Sequence, residues 1–375
     1  MLGCKTVAVK IAQVEMFRHT PPPLEAYKPG TSSAFESTLV RLTTDDGHVG
    51  WGEACPHGPT YQPIHAGQVR AGITELAPAV LGLDPREHVT VNRAMTAALN
   101  GTNEARSAID IACWDVHGQA SGRRVCDLLG GAIASTVPTY YVMRLAETPE
   151  ATAARAVELQ DELGFTKLQL KAGDGHIDET IAAVHAVAAV RRPGTDLFVD
   201  VNRRWTVGQA IQFSEACAGI PLALEQPCDT YDECVDAKPH LRHPLLLDEC
   251  TSTLGVAARA IATGVANGFG MKITRIGGLT PMRTFLDLCR ETHTPTSCDD
   301  SWGGDIIAAA CVHAAATLDD DLNRGAWIAA PYIDGHYDAK NGPRLENGRI
   351  ALPDGPGLGL SIAPDYFGDP DSVWA

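Results

Sequence analysis

The sequence predicts an α/β chain: a parallel β/α barrel preceded by a separate α+β domain. Three observations carry this. Five short apolar runs, KLQLK, LFVDV, PLALE, PLLLD and GFGMK, close on the charged residues Lys171, Asp200, Glu225, Asp248 and Lys272. These residues recur about every 23 to 30 positions, which leaves room for one helix and two loops between strands buried on both faces. The chain has 375 residues, more than the roughly 250 a barrel needs, so a further domain of about 100 residues is expected.

Taken in order, residues 5–16 and 36–53 alternate apolar and polar as half-buried strands do, and Asp46-Gly47 marks a hairpin turn. Helical stretches are expected over about 64–80 and 86–129; in the second, Ile109, Ile111, Ala112, Trp114 and Val116 cover most of a helix surface. From about Thr136 strand and helix alternate. Strands are expected near 138–142, 167–171, 197–201, 221–225, 244–248, 268–272, 294–298 and 326–330, and eight of them close a barrel. Thr148-Pro149 and Thr280-Pro281 read as helix starts, and Thr206 with Gln209 as a capping box. The expected domains are a cap over 1–133, a barrel over 134–344, and a Gly- and Pro-rich tail over 345–375 that returns to the cap.

A net charge of −16 with no basic run opposes binding to nucleic acid or to anionic membranes. The eleven cysteines are odd in number and scattered, with no CxxC pair, as in a reduced cytoplasmic protein. No apolar run reaches about 18 residues, so no membrane span is expected. His240 to His243 precedes the fifth strand, away from the catalytic rim, and the GPGLG stretch at Gly355 lacks the strand and helix of a dinucleotide site.

All strand C-termini of a parallel barrel face one rim, so three carboxylates and two amines distant in sequence converge there. Asp200, Glu225 and Asp248 are hard oxygen ligands with no thiolate or imidazole at equivalent positions, which favours Mg²⁺ or Mn²⁺ over Zn²⁺. Lys171 stands one strand before this acidic block and Lys272 one strand after it. Close to a metal an ammonium is disfavoured, and its pKa falls toward that of a useful base. A metal holding a substrate carboxylate stabilises the enediolate left when the α-proton is removed, and two lysines on opposite faces can return a proton to either face. Taken singly, each strand-end acid also reads as a helix N-cap, and each lysine as a surface salt-bridge partner.

The pattern resembles the enolase superfamily, in its muconate lactonizing enzyme subgroup, over nearly the whole chain. Sites of that superfamily use a Lys or His base with Mg²⁺, so those roles follow from the resemblance. It implies a modified TIM barrel, (β/α)7β, with a capping domain. It assigns Lys171 as the second-strand base, Lys272 as the sixth-strand base, and Asp200 in VDVN, Glu225 in EQP and Asp248 in DEC as metal ligands. Asn202 and Glu249 are expected to orient those ligands. The usual Lys-x-Lys motif is here Gln169-Leu170-Lys171, so whatever the first lysine does to tune the second must come from elsewhere, such as the metal or a cationic substrate, and Gln169 is a candidate substrate contact.

The stretches WGEACPHGPTY, GFGMKITRIGGLT, SCDDSWGGDIIAAACVHAAAT and WIAAPYIDGHYD resemble the hydroxyproline betaine 2-epimerases, which invert the α-carbon of N,N-dimethylated proline derivatives. The likeness implies a small zwitterionic substrate, 4-hydroxyproline betaine or proline betaine. Independently, Trp327 is expected near the rim end of the eighth strand, and an indole face attracts a desolvated quaternary ammonium by ~2 kcal/mol. Asp299 and Asp300, after the seventh strand, are placed to hold a cationic substrate, pair with Lys272 or cap the following helix. Tyr61 is placed to reach from the cap over the mouth, and the Pro-rich segment from Thr20 to Gly30 forms a second cap loop. The alternatives are a cis-3-hydroxyproline dehydratase, an amino acid or dipeptide epimerase, and a non-catalytic quaternary-amine binding protein. A homo-oligomer is the expected assembly.

Overall fold

Eight parallel strands follow one another around a single sheet: Tyr141–Met143, Lys167–Lys171, Asp196–Asp200, Ala223–Glu225, Leu245–Leu247, Gly268–Lys272, Thr296–Asp299 and Asn323–Gly325. The computed structural model describes residues 9–22, 24, 35–58 and 61–375. Beyond the eighth strand, the amide of Ala326 donates to the carbonyl of Pro138 at 3.0 Å, which joins the last strand to the approach of the first and closes the barrel. A helix follows each of the first seven strands, at Pro149–Asp161, Ile177–Val190, Val207–Ala216, Tyr231–Ala237, Leu254–Ala262, Leu279–Glu291 and Asp305–Ala315. This is the modified (β/α)7β barrel expected from the sequence.

The local signals explain most starts. Thr148 accepts from the amide of Ala151 ahead of Pro149, and Thr206 and Gln209 form a reciprocal capping box. Thr280-Pro281 is a correction: its helix begins at Leu279 after Gly278, and Thr280 instead gives its hydroxyl to the buried Asp110 of the cap. The eighth strand is a second correction. It is the polar run Asn323–Gly325, not 326–330, because Gly325 must pass against the Pro138 carbonyl and the apolar stretch after it packs into the mouth.

The cap is a four-stranded antiparallel sheet in the order Ser372–Trp374, Ile11–His19, Ser37–Thr44, Val49–Ala54, with the expected turn at Asp46-Gly47. The expected strand at 5–16 begins in residues outside those described, and most of the segment from Thr20 to Gly30 lies outside them as well. Of the tail, Leu345–Glu346 and Arg349–Ala351 form a small sheet with Thr136–Pro138, and only Ser372–Trp374 joins the cap sheet.

The single helical stretch expected over 86–129 is three helices, His88–Ala98, Asn103–Ser121 and Val125–Leu128. Asn100-Gly101 breaks the first, and Gly122, at φ 65°, ends the second in the left-handed conformation. The long middle helix lies so close to the cap sheet that a Cβ on Gly52 would sit 1.8 Å from the Ala108 carbonyl oxygen. The same helix docks the cap on the barrel. Asn103 donates to the carbonyl of Arg275 at 2.8 Å, and the Trp114 indole donates to Thr280 at 2.9 Å. A buried Glu53 accepts from the amides of Gly304 and Ile307 and from the Tyr337 hydroxyl.

Candidate active site

The strand ladders set the height of each side chain. Lys171 pairs with Asp200 and Asp200 with Glu225, and in a second ladder Lys272 pairs with Asp299; all five end their strands and line the mouth of the barrel. Asp248 directly follows the fifth strand. Lys171 and Lys272 end the second and sixth strands, four places apart in a ring of eight, and so stand on opposite walls.

Asp200, Glu225 and Asp248 are all buried, and one carboxylate oxygen of each lies within 4.8 Å of the others. Burial, together with repulsion from Asp200 and Asp248, lifts Glu225 well above the usual carboxylate range. Such surplus negative charge on oxygen donors fits a hard divalent cation, and no thiolate or imidazole belongs to the cluster.

The surrounding bonds hold the three acids apart. Lys171 Nζ donates to Asp200, while Lys272 Nζ meets both oxygens of Asp248, at 2.8 and 3.0 Å. Gln169 Nε2 donates to Glu225 at 3.0 Å. Gln169 therefore spends one amide hydrogen on an acid of the cluster and also lines the cavity. Asn202 bonds Asp200 through its backbone amide at 2.9 Å and its side chain at 3.1 Å, and reaches Glu249 at 2.9 Å. Burial and the neighbouring Asp248 push Glu249 up to about 7.

Both lysines are tied to the acidic cluster. Burial pulls the Lys171 ammonium down, but Asp200, Tyr61 and Glu225 outweigh it and hold it above the ordinary lysine range. Lys272 behaves likewise against Asp248. Each amine is paired with an acid of the cluster, whereas the fall in pKa expected from the sequence presupposes a cation on those acids.

The remaining site candidates meet in one cavity of about 300 Å³, the lower end of the size of small-molecule sites. Tyr61, from the cap, puts its hydroxyl 3.3 Å from Asp248 and its carbonyl on Arg203. Trp327 lies two residues beyond the eighth strand, yet its half-buried ring faces the cavity, 5.7 Å from Tyr332 and 5.6 Å from Trp302. Asp299 accepts from the Trp327 amide at 2.8 Å and from the Ser297 hydroxyl; burial, opposed by Lys272, raises it to about 6. Asp300 is used locally, accepting from the amides of Thr274 and Ser301 and the hydroxyl of Thr274. Its helix-capping reading is corrected, because the following helix starts at Asp305 after Gly304 with no side-chain cap.

Sequence reasoning missed Arg275, His57, Trp302, Tyr140 and Arg144. Arg275 is buried and donates to Asp248, opposing burial and helping to hold that acid below its usual range. It stands three residues past Lys272 on a short helical turn, Ile273–Ile276, which the sequence did not signal. Tyr140 and Arg144 share the inward face of one strand with Val142, and alternation in TYYVMR was the available signal.

Among the described residues no helix is long and apolar enough to cross a membrane. Residues 7–130 match the model of the mandelate racemase / muconate lactonizing enzyme N-terminal domain, and residues 151–366 match that of the enolase C-terminal domain-like family. The chain is 37% identical, over 90% of its length and 90% of the relative's, to a cis-3-hydroxy-L-proline dehydratase of Roseibium aggregatum. It is 28% identical, over 88% of its length and 93% of the relative's, to a hydrophobic dipeptide epimerase of Enterococcus faecalis. A crystal structure of an enolase superfamily member from Roseovarius nubinhibens, complexed with magnesium, superposes with a TM-score of 0.92 at 32% identity, covering 98% of this chain and 99% of that one. Fold, acidic cluster and matches agree: the chain belongs to the enolase superfamily, in its mandelate racemase/muconate lactonizing enzyme group, and is an enzyme.

Proposed function

We propose that the protein is a Mg²⁺-dependent epimerase that moves the α-proton of a proline betaine, 4-hydroxyproline betaine or its unhydroxylated parent, from one face of the α-carbon to the other. The observation that carries this reading is the placement of Lys171 and Lys272 on opposite walls of one cavity, with the acidic cluster between them. A divalent cation on Asp200, Glu225 and Asp248 would supply positive charge to those acids and to a substrate carboxylate, and the hard-oxygen set favours Mg²⁺.

The substrate carboxylate is directed to the wall of strands three to five, and the α-carbon then lies between the two amines. One lysine, as the free amine, takes the α-proton on Nζ as the C–H bond breaks. The opposite lysine, as the ammonium, gives its proton to the other face, and the two exchange roles in the reverse direction. Trp327 offers its face to a quaternary nitrogen that has no N–H to donate, and the Asp299 carboxylate adds a negative charge beside it.

A second reading is a cis-3-hydroxyproline dehydratase, favoured by the relative at 37% identity. There, loss of the α-proton is followed by departure of a hydroxyl on the neighbouring carbon, and one lysine suffices for the proton. Incubation with both substrates in deuterated water separates the readings. Epimerisation gives a diastereomer labelled at the α-carbon and no loss of water, and dehydration gives a ketimine or its hydrolysis product. Lys171→Ala and Lys272→Ala should each abolish epimerisation while one retains α-proton exchange with a single stereoisomer. Full turnover in either variant refutes the two-base mechanism.

A further inference from the structure

We propose that Arg144 is the residue that reads an oxygen substituent on the far edge of the substrate ring. The inference rests on the proline betaine reading and adds to it a determinant of substrate choice.

Five cationic side chains line the cavity, and four have a carboxylate partner. Lys171 is paired with Asp200, Lys272 with Asp248, Arg203 with Asp229 and Arg204 with Asp174. Arg144 has neither a hydrogen-bond nor an ion-pair partner among the described residues. Its position is set by the ladder. The last pair between the first and second strands is Met143 with Leu170, so Arg144 stands one step nearer the rim, level with Lys171. Tyr140, Val142 and Arg144 all face the cavity, as alternation along an extended strand requires. Its charge is felt inside: after burial and Lys171, Arg144 contributes to lowering His57 to about 4.

The order of the strands gives this cation its role. With the carboxylate directed to strands three to five and the α-carbon between strands two and six, the far edge of the ring faces strands seven, eight and one. Asp299, Trp327 and Arg144 follow one another along that arc. The first two suit the cationic nitrogen, which Arg144 repels. An unpaired guanidinium on the same arc suits a neutral oxygen acceptor such as a ring hydroxyl, to which it can donate through a planar fork.

The experiment compares kcat/KM for 4-hydroxyproline betaine and for proline betaine in the Mg²⁺-loaded wild type, Arg144→Met and Arg144→Lys. A hydrogen bond from a charged donor sets the expected preference of the wild type for the hydroxylated substrate at about tenfold or more. Arg144→Met should bring the ratio to about one, mainly through KM of the hydroxylated substrate, and Arg144→Lys should restore part of it. A ratio in Arg144→Met within about twofold of wild type overturns the inference, as does a wild type that turns over both substrates equally while remaining an epimerase. If the wild type epimerises neither compound, the betaine reading fails and takes this inference with it.

Discussion

Gln169 donates its side-chain amide to Glu225 across two strands, at 3.0 Å, in the position where this family's motif carries a lysine. The bond orients the acid that burial, with repulsion from Asp200 and Asp248, lifts well above the usual carboxylate range. Loss of such an outer contact costs about 10- to 100-fold in metal affinity. Gln169→Ala should therefore weaken Mg²⁺ binding by that order in a calorimetric titration, and Gln169→Glu, which adds a fourth carboxylate, should raise the affinity for the cation while slowing turnover.

The Trp327 face predicts a split between substrates. A cation–π contact with a desolvated quaternary ammonium, ~2 kcal/mol, corresponds to about 30-fold in affinity. Trp327→Leu should raise KM for a betaine by about that factor, and Trp327→Phe should recover part of it. Steady-state kinetics with matched betaine and free amino acid measure the difference.

Asp115 predicts a pH dependence of stability away from the catalytic mouth. It is buried, accepts from the amides of Trp51 and Leu358, and is pushed by burial up to about 6 from an ordinary value near 3.8. A carboxyl raised in the fold contributes stability that is complete below its unfolded pKa and is lost as pH rises through its folded pKa. Between about pH 4 and 6 it should lower stability by roughly 1.4 kcal/mol per pH unit. Asp115→Asn removes that slope, which denaturant unfolding across pH 4 to 8 would read out.

The contact between Gly52 and Ala108 predicts a large packing penalty. A Cβ 1.8 Å from a helix carbonyl forces the cap sheet and its long helix apart. Gly52→Ala should cost several kcal/mol, at the upper end of single substitutions, and lower the midpoint of thermal unfolding. Gly47→Ala, with open space around its Cβ position, pays only for its left-handed backbone and should cost about 1 kcal/mol.

How much was legible follows from what each residue touches. The five strand-end charges were readable because a strand buried on both faces writes a continuous apolar run, and the first polar residue after it marks the rim. The eighth strand was not, since Asn323–Gly325 carries no apolar run and is held by the Pro138 carbonyl and by ladder bonds from the seventh strand. Trp327 was found for its chemistry although its strand was misplaced by three residues. Arg275 and Gln169 act through contacts with residues 27 and 56 positions away, and no local pattern records such partners. Thr280 looked like a cap because its local signal is genuine, and the cap domain's Asp110 claims it instead.

The mouth of the barrel is divided by strand order into an acidic arc, from the third strand to the fifth, and an aromatic arc centred on the eighth. On the proposed reading, a molecule with separated charges arriving there would meet unequal halves, which would select its heading before any bond is made. Reversing that heading would require exchanging residues on strands that lie across the ring from one another, which no single substitution accomplishes.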